Sequence, residues 1–188
     1  GTERANLMAL PNTGTGHGGY NWKSSGGFPF HPGYCGVGRI AACGEGVESL
    51  NVGDRVVGNW GGHRSHFVRK ASDLTRIEDD TIDSLDASFA RIAVFSLLGV
   101  RKLRIELGES VLVAGQGLLG VFALQVAALS GAVPVFVSDF NPARRELAMK
   151  LGATAAFAPD EHFVERVLAA TGGKGVDGVV EVTGIAKA

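Results

Sequence analysis

The stretch Ser110-Val111-Leu112-Val113-Ala114-Gly115-Gln116-Gly117-Leu118-Leu119-Gly120 decides how this chain folds. Ser110 to Ala114 is a short, β-favouring apolar run, and the six residues after it have the spacing G-x-G-x-x-G. Val121 to Ser130 is helix-compatible and stops at Gly131, a suitable residue just past a helix end. A strand that passes through a glycine turn into a helix is the context in which this spacing has chemical meaning. Gly115 allows the tight turn, Gly117 lets a pyrophosphate come close to the backbone, and Gly120 lets the helix lie near the strand. The helix N-terminus then offers unpaired N–H groups and a partial positive charge to phosphate oxygens. With Gln116, Leu118 and Leu119 between them, these glycines form the expected cofactor-binding loop. Glycine turns of this spacing also occur for packing alone, so the flanking elements carry the argument.

A second strand is expected over Val133 to Ser138, ending at Asp139, 24 residues after Gly115. The acid that binds the adenosine ribose follows the glycine turn at roughly 20 residues. A carboxylate there accepts hydrogen bonds from both ribose hydroxyls and repels a 2′-phosphate, so NAD is expected over NADP. Phe140 and Asn141 follow in place of an arginine, which supports the same choice, although Arg144 and Arg145 stand nearby. Beyond them the pattern predicts a helix over Asn141 to Leu151 and a strand over Ala155 to Phe157. A helix over Glu161 to Thr171 and a strand over Val176 to Val182 come next. The order βαβαβαβ specifies a parallel sheet with crossover helices.

Upstream, the glycines behave differently. Of the 28 in the chain, those before about residue 80 punctuate short segments, the pattern of short strands and tight turns. The architecture is therefore expected to change near residues 80 to 90. Ile92 to Val100 is the longest strongly apolar run, nine residues with Ser96 inside it, far short of the roughly 20 that a membrane span needs. It reads as a buried helix. Eighteen basic against 19 acidic residues, with no stripe of Lys and Arg, make nucleic acid an unsuitable partner. The first five residues show no apolar segment behind a basic head, and two cysteines form no disulfide framework, so a cytoplasmic location is expected.

Three further segments are Phe30-His31-Pro32-Gly33-Tyr34-Cys35-Gly36-Val37-Gly38-Arg39-Ile40, Gly44-Glu45-Gly46-Val47 and Val52-Gly53-Asp54-Arg55-Val56. Together with the glycine turn and Asp139 they resemble the medium-chain dehydrogenase/reductase superfamily. The resemblance covers nearly the whole chain and implies an α/β protein. An incomplete GroES-like, β-rich catalytic domain over residues 1–88 would precede a partial Rossmann domain, a doubly wound parallel sheet, over 89–188. It also implies that Arg144 contacts the adenosine ribose, that Ser96 lies on the nicotinamide side, and that Thr183 and Gly184 face the cofactor. For Ser96 the alternative is a hydroxyl bonded to its own helix backbone.

The chain departs from the superfamily where zinc-dependent members carry G-H-E-G. Here the segment is Gly33-Tyr34-Cys35-Gly36, with Tyr for the histidine ligand and Cys for the glutamate. A catalytic zinc needs three protein ligands and an open position, and Cys35 alone does not supply them. Nor do Cys35 and Cys43 suffice for the four-cysteine structural zinc of some members, so no zinc and no metal-ligating residues are expected. His63 and His66 are three apart in a strand-like stretch, which would turn their rings to opposite faces. Cys35 and Cys43 are expected to be small buried hydrophobes. His17, His31 and His162 are isolated in sequence. Without zinc, the hydroxyl of Tyr34 is a candidate to stabilise a developing alkoxide; the other reading is that Tyr34 only fills the space of the lost ligand.

The resemblance further implies a chain that starts inside the GroES-like domain, with Thr2-Glu3 near a family element, and stops after the fourth Rossmann strand. These residues alone are then expected to bind adenine nucleotide weakly and to catalyse nothing. The function expected of the protein is zinc-independent, NAD-linked hydride transfer between nicotinamide and a small alcohol or carbonyl substrate, in a homo-oligomer away from membranes. Two alternatives stand beside it: a zinc alcohol dehydrogenase whose ligands lie outside this chain, and an NAD-binding protein without catalysis.

Overall fold

The computed structural model describes residues 33–184. The chain divides into two compact units, Gly1–Ala90 and Arg91–Ala188.

In the first unit, β1 (Cys35–Arg39), β2 (Arg55–Asn59) and β3 (Leu74–Arg76) form an antiparallel sheet in that order. The loop between β1 and β2 is closed by Gly53 N–H donating to Ile40 O at 2.8 Å and Ile40 N–H donating to Asp54 O at 3.0 Å. Arg55, at the start of β2, reaches the carbonyls of Ile82 (2.8 Å) and Asp79 (3.1 Å) and so ties the loop before α1 (Ser84–Ala87) to the sheet. Asp83 caps α1, its carboxylate accepting from Leu85 N–H at 2.7 Å.

Residues 61–68, expected to be strand-like, form a loop. The Phe67 ring lies over Gly58 and Gly61, where a Cβ on Gly61 would fall 2.8 Å from it, so the chain folds back on itself instead of extending. The alternation that set His63 and His66 on opposite faces therefore does not apply; both are exposed. Cys43 is likewise exposed, not a buried hydrophobe, because it sits in the loop after β1, its thiol 3.4 Å from Leu50 O. Cys35 is half-buried and donates to Ser88 O.

α2 (Ala90–Leu103) begins on the last residue of the first unit and otherwise belongs to the second. The second unit also contains β4 (Val111–Ala114), α3 (Leu118–Leu129), β5 (Val135–Ser138), α4 (Pro142–Lys150), β6 (Ala155–Phe157), α5 (Phe163–Ala170) and β7 (Gly178–Glu181). Its four strands are parallel in the order β6-β5-β4-β7. β4 and β5 are flanked on both sides and read as Val-Leu-Val-Ala and Val-Phe-Val-Ser, runs apolar on both faces, as a central parallel strand requires. Val111, Val113, Val135 and Val137 join Ala123, Leu124 and Ala127 of α3 in the core. Leu124 is fully enclosed; removing it to Ala costs about 2–5 kcal/mol in such a site.

Ile92 to Val100 is helical, yet it is not a buried helix. Ser96 and Val100 are buried, whereas Val94, Phe95, Leu97 and Leu98 are exposed. A helix laid on a sheet buries one stripe, and an apolar run longer than a turn must turn part of itself outward.

Candidate functional site

From β4 the chain runs outward through β5 to β6 and then returns to put β7 on the other side of β4. At such a reversal the loops leaving the two strands that meet there, β4 and β7, lead to opposite sides and can open a crevice beyond their carboxyl ends. The loop leaving β4 is the Gly115–Gly120 turn; the loop leaving β7 carries Val182, Thr183 and Gly184.

Gly115 has φ +92°, a conformation that L side chains rarely adopt, and a Cβ there would lie 3.2 Å from Thr183 N. The two loops thus touch at a position where only glycine fits. A Cβ on Gly120 would fall 1.8 Å from the Gly115 carbonyl oxygen, so the first turn of α3 rests directly on the glycine turn. Gly117 differs: a Cβ there would meet nothing within 4 Å. It is the cap residue of α3 and brings no side chain to the helix's first amides. The turn therefore leaves a bare backbone face at a helix N-terminus, a shape and polarity that suit a pyrophosphate.

Asp139 closes this face from the end of β5. Its Oδ2 accepts from Gln116 N–H at 2.7 Å and its Oδ1 from Asn141 N–H at 2.8 Å, with its side chain only 9% exposed. Burial pushes its pKa up, but the two backbone hydrogen bonds and the Arg144 guanidinium outweigh that and hold it below the ordinary carboxylate value. Arg144 Nη1 lies 3.5 Å from Asp139 Oδ2 and is 54% exposed. Arg145 instead donates to the carbonyls of Asp139 (2.6 Å) and Phe140 (3.0 Å), and so shapes the loop that carries the acid. Asn141 then caps α4, accepting from Ala143 N–H at 2.9 Å, with Pro142 at the first helical position.

Ser96, on α2, is 3% exposed and donates its hydroxyl to Leu119 O at 2.8 Å, in the first turn of α3. It bonds neither its own helix nor open space. Thr183 donates its N–H to Glu181 Oε1 at 2.6 Å and its hydroxyl to the same oxygen, which bends the chain at the end of β7. The fold thus brings Ser96, Gly115 to Gly120, Asp139, Arg144, Thr183 and Gly184 to one region of the second unit. Tyr34 belongs to the first unit. It is half-buried, and its ring centroid is 6.2 Å from that of Trp60, whose backbone N–H donates to the Tyr34 carbonyl at 3.3 Å.

Among the described residues, no three or more His, Cys, Asp or Glu side chains gather as a metal site would require. His162 starts α5 with its ring 3.2 Å from Glu165. His17, His31 and Thr2-Glu3 lie outside the described residues. Sequence reasoning missed the parts played by Arg145 and Glu181 and the partner of Ser96. The Ser96 contact joins segments 23 residues apart, which no local spacing reveals, whereas Arg145 and Glu181 act on residues two to six positions away and could have been considered from the loop sequence.

The chain matches two family models, an alcohol dehydrogenase GroES-like domain over residues 10–96 and a zinc-binding dehydrogenase domain over residues 119–188. It is 46% identical over 82 residues to an L-threonine 3-dehydrogenase of Pyrococcus horikoshii, a match covering 43% of this chain and 24% of that protein. It is 30% identical to an L-threonine 3-dehydrogenase of Idiomarina loihiensis over 184 residues, covering 81% of this chain and 53% of that one. The crystal structure of 2R,3R-butanediol dehydrogenase from Bacillus subtilis superposes with a TM-score of 0.67 at 25% identity, over 79% of this chain and 50% of that chain. The chain thus spans from about a quarter to about half of the length of these relatives.

Proposed function

Because the chain belongs to the medium-chain dehydrogenase/reductase superfamily, we propose that the protein is an NAD(H)-linked oxidoreductase that moves a hydride between a nicotinamide and the carbon of a small alcohol or carbonyl compound. The observation that carries this reading is the open backbone face at Gly117 with Asp139 hydrogen-bonded beside it. The dinucleotide supplies the hydride carrier, and the protein's part is to hold and orient it.

Gly115 to Gly120 would take the pyrophosphate. Asp139 has both oxygens engaged with backbone N–H groups, yet a carboxylate has about four acceptor sites and retains lone pairs for a ribose diol. Its depressed pKa keeps it charged, and a charge here repels a 2′-phosphate. Arg145 is spent on backbone carbonyls, and Arg144 faces Asp139, so neither is a dedicated phosphate clamp. Both facts favour NAD. Ser96 is given a positioning part in this reading, holding the first turn of α3, and Thr183 and Gly184 form the opposite lip of the crevice.

Zinc independence is part of the proposal. Its support is chemical: Tyr34 and Cys35 stand where zinc-dependent relatives carry a ligand histidine and a glutamate. Tyr34 is then the candidate hydrogen-bond donor to a developing alkoxide. The zinc-binding description of the matched domain favours a second reading, in which metal enters through residues outside those described.

Calorimetric titration of the whole protein with NADH and NADPH, with bound zinc assayed on the same sample, tests these together. Tight NADH binding, weak NADPH binding and no stoichiometric zinc are expected. Stoichiometric zinc would favour the second reading, and no binding of either nucleotide would remove the proposal's foundation.

A further inference from the structure

Gln116 occupies the first variable position of the glycine turn, and the turn's usual logic asks nothing of its side chain. Here that side chain does not face the crevice. The residue is 2% exposed, and its Nε2 donates to Gly115 O at 3.1 Å and Val113 O at 3.3 Å. A Cβ built on Gly120 would lie 3.2 Å from the same Nε2, which places the carboxamide underneath the turn, between strand end and helix.

One peptide unit joins these contacts to the acid. In a trans peptide the carbonyl oxygen and the amide hydrogen point opposite ways. The Gly115 carbonyl points inward, to Gln116 Nε2 and the Gly120 backbone, so the Gln116 N–H must point outward, and it meets Asp139 Oδ2 at 2.7 Å. The carboxamide clamps one end of this peptide and Asp139 the other.

We infer that Gln116 is a positioning residue that sets the Asp139 carboxylate through the Gly115–Gln116 peptide, and so contributes to coenzyme discrimination without touching coenzyme. The inference rests on the dinucleotide reading above. The Gln116 Oε1 atom is buried with no hydrogen-bond partner, so replacing the carboxamide by an apolar group of similar size also removes an orphaned acceptor. The same change takes the Nε2 donor away from the Gly115 and Val113 carbonyls, so a modest loss of stability accompanies loss of the clamp.

The test is titration of the whole protein, as wild type, Gln116→Leu and Gln116→Met, with NADH and with NADPH, alongside thermal unfolding. Either variant is expected to fold with a Tm lowered by a few degrees, to raise the NADH Kd about tenfold, and to leave the NADPH Kd unchanged, so that discrimination narrows. The unbranched Met serves if the Leu variant does not fold. An unchanged NADH Kd, or equal losses for both coenzymes, would overturn the positioning role. Wild-type protein that binds neither coenzyme would sink the dinucleotide reading itself, which separates the two failures.

Discussion

At the scale of single residues, the glycines of the turn are unequal. Gly120→Ala would drive a methyl group into the Gly115 carbonyl, a backbone atom that cannot move without the turn. A loss of about 3 kcal/mol is expected, a fall in Tm of roughly 6–12 °C. Gly117→Ala meets open space and should leave Tm alone; if the pyrophosphate binds as proposed, the methyl would crowd it and NADH binding should weaken. Asp139→Asn removes the charge but keeps acceptor capacity for one ribose hydroxyl; titration should show weaker NADH and stronger NADPH binding. Tyr34→Phe tests the alkoxide role: turnover lower by about a hundredfold is expected if the hydroxyl donates to the reacting oxygen, and unchanged turnover would leave Tyr34 a space-filler.

At the scale of elements, the second unit is stapled at both ends of β4. At its start, Ser110 N–H and hydroxyl each donate to Asp177 Oδ2 at 2.7 Å, joining the entry of β4 to that of β7. The side-chain hydrogen bond from Ser110, and then the backbone one, hold the Asp177 pKa below the ordinary carboxylate value. A depressed folded-state pKa means that the unfolded chain binds more protons as pH falls. The stabilisation is therefore complete above the ordinary value of about 3.9 and disappears as pH drops through the folded-state value. Asp177→Asn should flatten the acid limb of unfolding free energy against pH, measured between about pH 2 and 5. At the other end of β4, Ser96 links α2 to the first turn of α3. Ser96→Ala is expected to weaken NADH binding while Ser96→Thr, which keeps the hydroxyl, restores it. An effect confined to kcat would instead put Ser96 beside the nicotinamide.

At the scale of the whole molecule, a ligand that binds only the folded protein stabilises it by mass action. NADH at 100 times its Kd should add about 2.7 kcal/mol, and NADPH at the same concentration distinctly less; a thermal shift series reads both. Much of the second unit was legible along the chain. Ala155–Phe157 is a strand as expected, and the other strands and helices of the βα unit fall within a few residues of their predicted limits. Strands whose two faces are both covered leave a continuous apolar record, and Asn141-Pro142 marks a helix start by local chemistry alone. The glycine spacing and the acid after the second strand are local too. The loop over residues 61–68 was not legible, because what bends it is the Phe67 ring lying over Gly58 and Gly61. Nor was the outward face of α2, because an apolar run does not state which of its residues meet the sheet. By itself, then, the sequence determined which segments become strand, turn and helix in the second unit, and which acid ends β5, since hydrophobic period, capping and glycine conformation act over a few residues. Only the tertiary structure decided that β7 returns beside β4, that Ser96 reaches Leu119, and that the Gly115–Gln116 peptide is held between a buried carboxamide and Asp139. Strand order, buried partners and the direction of one peptide depend on contacts between residues far apart in the chain, and those exist only once the core has closed.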